Sequence, residues 1–225
     1  MVTRRDANAG IVAGAAVAVA AAVAAQAQEQ EQGKGNPRTL PKAQTSGGMS
    51  LLEALKLRRS TREYSARSIP EQTLSNLLWA AFGINRPSGD RTAPYWRHIM
   101  VIDVYLAMAD GVFLYEPKDH VLVPYLQDDI RVHTGLQDFV ATAPLNLIYV
   151  AHGERMKDIS PEDRRLYASV DAAFIGQNVY LYCASEGLAS VFRGAVDYEK
   201  LARRMKLPAE QFVTFAQTVG YSRVG

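Results

Sequence analysis

Apolar positions along the chain keep two rhythms, one of about 3.6 residues and one of two, which mix without a regular order. Ser50-Leu51-Leu52-Glu53 has the spacing of a capping box and predicts a short helix that ends at the arginines near residue 58. Ser68-Ile69-Pro70-Glu71 repeats the signature, with proline just inside a second helix whose Leu74, Leu77, Leu78 and Ala81 share one face. Gly83 is a natural stop, and a loop rich in Pro, Ser, Gly and Arg follows from Asn85 to Pro94. Ile99 to Leu106 reads as a strand. Gly111 to Tyr115 and Val121 to Val123 flank the turn residues Pro117-Lys118-Asp119-His120 and read as a hairpin. A helix is expected around Gly135 to Ala141 and a buried strand over Leu145 to Ala151. The longest helical pattern runs from Pro161 to Glu186 and ends before Gly187. Its apolar residues go nearly all round, which predicts a central, buried helix. A short strand (Ala189 to Phe192), a basic helix capped by Asp197 and running to Met205, and a last strand (Phe212 to Val219) complete the chain. Helices and strands do not alternate as βαβ units, so the fold class is α+β.

The N-terminus follows neither rhythm. Thr3-Arg4-Arg5-Asp6 precedes an Ala/Val run from Ile11 to Ala25, shorter than the roughly 20 residues of a membrane span. Ala25-Gln26-Ala27 offers a small-x-small cleavage site, so residues 1–27 read as a removable export signal. The paired arginines suggest the twin-arginine route, although Asp6-Ala7-Asn8 is not its usual apolar continuation, and ordinary unfolded export is the alternative. Residues 28–48 hold too few apolar side chains to offset ordering entropy and read as a flexible linker. Residues 49–225 remain, roughly 175 residues and one domain by length. The mature protein is expected to be periplasmic, cell-surface or secreted, with no membrane span of its own.

A formal net charge of +2 excludes bulk binding to nucleic acid. The single cysteine, Cys183, cannot form an internal disulfide and lies in an apolar helical run as a core residue. His98, His120, His133 and His152 show no metal-type spacing, so no metal site is expected. The chemistry concentrates in Arg58-Arg59-Ser60-Thr61-Arg62 and in Arg223, near the two ends of the mature chain. Such a cluster is either a solvated basic helix end or a phosphate site, because guanidinium forks and a serine hydroxyl match phosphate oxygens.

The order of several short runs decides for the second reading. These are Arg58 to Arg62, Arg91-Thr92-Ala93-Pro94, the Gly111 to Asp119 hairpin, Ala143-Pro144, Gly176-Gln177-Asn178-Val179-Tyr180, Gly187-Leu188-Ala189-Ser190-Val191, and Val219-Gly220-Tyr221 before Arg223. Together they resemble the nitroreductase family of FMN-dependent oxidoreductases, in particular its small members related to the azoline oxidases. The resemblance implies a mixed or antiparallel central sheet with surrounding helices, in an interlocked homodimer with FMN in two interface clefts. It implies that Arg58, Ser60 and Arg62 hold the phosphate, ribityl chain and pyrimidine edge, with Arg59 in the same contact run and Arg223 completing the phosphate site. Backbone N–H groups of Arg193 and Gly194 would reach flavin N5 and O4. The activity implied is hydride transfer between flavin and a small, flat organic substrate, with an electron donor or redox partner that the sequence leaves unnamed.

The chain departs from that pattern after Ala93-Pro94. Relatives carry Ser-Ala-x-Asn-x-Gln, whereas Tyr95, Trp96, His98 and Met100 stand here, and Val101 replaces a common acid. One reading is a re-lined pocket, with Pro94, Tyr95 and His98 at the flavin and Tyr95 and Trp96 shaping the substrate site. The alternative is a dimer that has lost FMN and binds or scaffolds, or that holds a metal or haem through Tyr95, His98 and Met100.

Overall fold

The computed structural model describes residues 35–223. The expected export signal, 1–27, and the first residues of the expected linker lie outside the described residues. In chain order the elements are β1 (Arg38–Thr39), α1 (Leu51–Leu57), α2 (Glu71–Phe82), β2 (Ile102–Met108), β3 (Gly111–Glu116) and β4 (Val121–Leu126). They continue with β5 (Leu145–His152), α3 (Pro161–Ser185), β6 (Ala189–Arg193), α4 (Tyr198–Arg204) and β7 (Gln211–Gly220).

The strands form one seven-stranded sheet in the order β1-β4-β3-β2-β5-β7-β6. Every pairing is antiparallel, which makes the sheet antiparallel rather than mixed. β5 is an interior strand, between β2 and β7, and all eight of its residues are buried. Its period-2 alternation feeds two cores. Leu145, Leu147, Tyr149 and Ala151 pack with Leu74, Leu77 and Leu78 of α2 and Ile175 and Val179 of α3. Ile148 and Val150 point the other way, toward Leu201 of α4, Met205 and Ile130. Each fully buried side chain of this kind contributes about 1.5–3 kcal/mol.

The predicted boundaries of α3 hold because local signals agree. Ser160 accepts a hydrogen bond from the Asp163 N–H, Pro161 starts the helix, and Gly187 leaves it at φ +69°. Gly176 lets the helix approach β6: a Cβ there would meet the Phe192 ring at 2.5 Å. The expectation that α3 is buried all round does not hold. Ala168, Ala172, Ile175, Val179 and Cys183 are buried, but Leu166, Tyr167, Val170 and Phe174 form an exposed apolar stripe. Leu51, Leu52 and Leu55 of α1 are exposed as well.

Three smaller expectations also change. Ser50 makes the predicted capping box with Glu53, but the second helix is capped by Pro70 without a side-chain bond, so Ser68 plays no such part. Residues 135–141 yield only a short 3₁₀ turn, Asp138–Ala141. The end of the expected linker is docked: β1 pairs with β4, Leu40 is buried, and the Ser75 hydroxyl donates to the Pro41 carbonyl at 2.6 Å.

Candidate functional site

The chain leaves α1 at Arg58 and runs extended alongside the sheet edge. Ser60 makes a single bridge to Ser190 at the start of β6, and Tyr64 makes one to Ser222 beyond β7. The Arg223 N–H donates to the Glu63 carbonyl at 3.3 Å. Two short contacts therefore bring segments near the two ends of the described residues together, and Tyr64, buried against Phe139, anchors the first.

A cleft of about 590 Å³ opens here, lined by Arg59, Ser60, Thr61, Arg62, Tyr180 and the Gly187–Ser190 run. A second, of about 300 Å³, shares Arg62 and Glu63 with it and adds Asp138 and Arg223. Arg58 lies over the Tyr180 ring, 5.2 Å from its centroid. The Tyr180 hydroxyl accepts from the Phe192 N–H at 2.8 Å and sits 2.7 Å from Ser60 Oγ. With Tyr180 as donor in that pair, the Ser60 O–H stays available to a ligand. Arg59 and Arg62 have no ion-pair partner among the described residues. Arg59, Ser60 and Arg62 thus line one cleft, Arg223 lines the adjoining one, and Arg58 lies beside them over Tyr180. Guanidiniums and a hydroxyl in this arrangement can donate to an anion with several acceptor oxygens.

Two contributors were not singled out in the sequence. Tyr180 closes the Gly176-Gln177-Asn178-Val179-Tyr180 run, where an aromatic ring among smaller neighbours is the available signal; Ser190 carries none. Cys183 lies at the floor of the cleft, where burial pushes its thiol far above the ordinary range and keeps it protonated. It is a core residue.

The other predicted residues lie elsewhere in the chain. Arg193 is sealed in the core, its guanidinium donating to Thr218 Oγ1 (3.1 Å), the Thr134 carbonyl (2.8 Å) and Asn146 Oδ1 (3.2 Å). Gly194, just beyond β6, is exposed. Pro94 is exposed in a loop where Tyr95 donates to Asp90 (2.6 Å) and the Trp96 N–H donates to Asp171 of α3 (2.9 Å). Arg97 and His98 follow at φ 47° and 57°, left-handed backbone that costs of order 1 kcal/mol or more per residue. None of these loop residues lines the arginine cleft, so Tyr95 and Trp96 do not plug it.

The proposed metal donors each face another partner. Tyr95 is bonded to Asp90, the exposed His98 ring lies 3.7 Å from Asp90, and the Met100 thioether takes Nη2 of Arg91 at 3.0 Å. Hydrogen bonds from Ser88 and Tyr95 hold the Asp90 carboxyl down at about 2. Asp171 is the opposite case: burial lifts it to about 6, against the single Trp96 N–H.

Among known proteins, residues 55–221 match the family model of the nitroreductase family. A candidate nitroreductase of Methanocaldococcus jannaschii is 30% identical over 169 residues, 71% of this chain and 85% of that protein. The crystal structure of a candidate nitroreductase from Ralstonia eutropha superposes with a TM-score of 0.79 at 40% identity, over 86% of this chain and 98% of its own. The NADPH:FMN oxidoreductase of Vibrio harveyi, complexed with NAD+, shares the fold at 18% identity and TM-score 0.57, over 77% of this chain and 69% of its own.

Proposed function

The chain belongs to the nitroreductase family, and from that premise we propose an exported, homodimeric, FMN-dependent oxidoreductase that moves hydride between flavin and a small, flat organic substrate. The observation that carries this reading is the arginine cleft. Guanidiniums without carboxylate partners surround a serine–tyrosine hydroxyl pair, and together they supply the donors a phosphate monoester requires.

In this reading Arg58, Ser60, Arg62 and Arg223 hold the phosphate end, and Arg59 adds positive charge to the same cleft. β6 leads from Ser190 in the cleft to Gly194, a rise of roughly 13 Å over four residues. A nucleotide anchored by its phosphate would extend along that strand, with its ring toward the exposed backbone at Gly194. FMN bound there would supply a two-electron carrier that takes up and gives back hydride. The chain then contributes position and electrostatics, and no Ser-His-Asp or paired-carboxylate machinery is called on.

The 94–98 loop enters from a second copy. Trp96 packs on Tyr167 of α3, ring centroids 5.9 Å apart, while Tyr180 on the same helix faces the arginine cleft. The two tyrosines are roughly 20 Å apart along the helix, and the exposed Phe174 lies midway. A two-fold axis near Phe174, pairing α3 with its copy in antiparallel fashion, would carry the partner's loop to this chain's cleft and cover both apolar stripes. Tyr95 and Trp96 would then shape the substrate pocket of the neighbouring subunit. Outside the cytoplasm NAD(P)H is not at hand, so the electron donor is a quinol or a protein redox partner.

The test is the mature protein itself. It should purify as a dimer, show the visible band of an oxidised flavin and lose that band on reduction. Phe174→Glu should give monomers and release the flavin. A colourless dimer that takes up no added FMN would replace this reading with that of a binding protein, and a haem or metal spectrum would replace it with a metalloprotein.

A further inference from the structure

Arg91 follows α2 and packs over the Phe82 ring, 5.4 Å from its centroid. It is only 9% exposed. Its Nε and Nη1 are shielded from water and have no acceptor at all. Nη2 has only the Met100 thioether, a weak acceptor, at 3.0 Å. A guanidinium keeps its charge at any physiological pH, so an unanswered positive charge sits inside the fold.

A cleft of about 320 Å³ opens on this group, walled by Phe82, Ile102 and Leu114 and flanked by Asp103, Glu116 and Arg155. The two acids favour the charge through space, but neither bonds to it. Asp103 is committed to His152 Nε2 (2.6 Å) and Arg155 (3.5 Å), and Glu116 accepts from the Lys118 N–H (3.0 Å). Turning the Arg91 fork into the cleft gives up the thioether contact and part of the packing over Phe82, and no hydrogen bond to an oxygen acceptor. None of the residues of this cleft lines the arginine cleft at Ser60.

We propose that this cleft is a second ligand site, one that takes a small carboxylate-bearing molecule with a flat or branched apolar body. The carboxylate supplies the acceptors Arg91 lacks, and the apolar body packs against Phe82, Ile102 and Leu114. The volume admits a ligand the size of a substituted benzoate and not a nucleotide. Two features meet in such a ligand: the buried cation needs an anion, and Phe82, Ile102 and Leu114 beside it offer apolar contact.

Calorimetric titration of the mature protein with benzoate, and with benzamide as its uncharged analogue, tests the site. Benzoate should bind at one site per chain while benzamide fails to bind. Arg91→Gln should weaken benzoate by about tenfold or more, the usual worth of a charge-assisted hydrogen bond. Glu116→Gln should tighten it several-fold by removing a like charge, and Arg62→Gln, in the other cleft, should leave it unchanged. The Glu116→Gln variant and the benzamide control keep the test decisive even where Arg91→Gln fails to fold. No saturable benzoate binding, equal binding of benzamide, or loss of binding in Arg62→Gln with retention in Arg91→Gln would each overturn the proposal.

Discussion

Arg193 and Arg91 are both withdrawn from water, and neither guanidinium pairs with a carboxylate. At the end of β6, Arg193 spends its donors on a threonine hydroxyl, a backbone carbonyl and an asparagine. Asn146 and Thr218 bond one another as well, at 2.6 Å, so the network ties β5, β6 and β7 to the turn at Thr134. Burial lowers Arg193 to about 10, which still leaves it charged at neutral pH. Beside α2, Arg91 lies over the Phe82 ring and has, among the described residues, only a thioether for its N–H donors. A buried charge is therefore not in itself a sign of a ligand site. What separates structure from site is whether the neighbouring dipoles have already taken up the donors.

The strongest way to break that comparison is to remove Arg193. Arg193→Met leaves the Thr134 carbonyl without its partner and should cost about 3–5 kcal/mol in urea unfolding. A cost below about 1 kcal/mol would make the two arginines equivalent. Asp171 sharpens the same contrast on the acid side. Its folded-state pKa is raised to about 6, above its unfolded value near 4. Below both values the acid is neutral in either state and no penalty applies. As pH rises from about 4 to 6 the unfolded chain loses its proton first, so stability falls and then levels off. Asp171→Asn keeps an acceptor for the Trp96 N–H and should abolish that loss, gaining about 3 kcal/mol at neutral pH over wild type. A variant whose advantage is the same at pH 4 and pH 7 would contradict this. The smallest effect should come from Arg91→Met, which replaces an unsatisfied cation with an apolar group. It should leave stability unchanged or raise it by up to about 2 kcal/mol, opposite in sign to Arg193→Met.

Much of the fold was legible because local and global signals agree. Ser160, Pro161 and Gly187 bound α3 as predicted, and the hairpin about Pro117 to His120 falls where its turn residues place it. The apolar circumference of α3 misled because composition cannot tell a face that packs inside the chain from one that stays exposed on it. Gly135 to Ala141 stopped at a single 3₁₀ turn because Gln137 gives it no side-chain cap, whereas the seven-residue α1 and α4 are capped by Ser50 and Asp197. Within the site, the contiguous run from Arg58 to Arg62 was readable as a chemical unit. Its closure by Tyr180 and Ser190 depends on long-range pairing that no local pattern carries. The solitary state of Arg91 is a property of what does not surround it, and only packing reveals that.

The central claim is that Arg58, Arg62 and Arg223 grip a phosphate, and the most direct measurement compares FMN with riboflavin, which differs only in lacking that group. Wild-type mature protein should bind FMN at least about 100-fold more tightly than riboflavin, the sum of two or three charge-assisted hydrogen bonds. Arg62→Ala combined with Arg223→Ala should collapse that ratio toward one while leaving riboflavin affinity in place. Equal affinities in the wild type, or a ratio that survives the double substitution, would contradict the account.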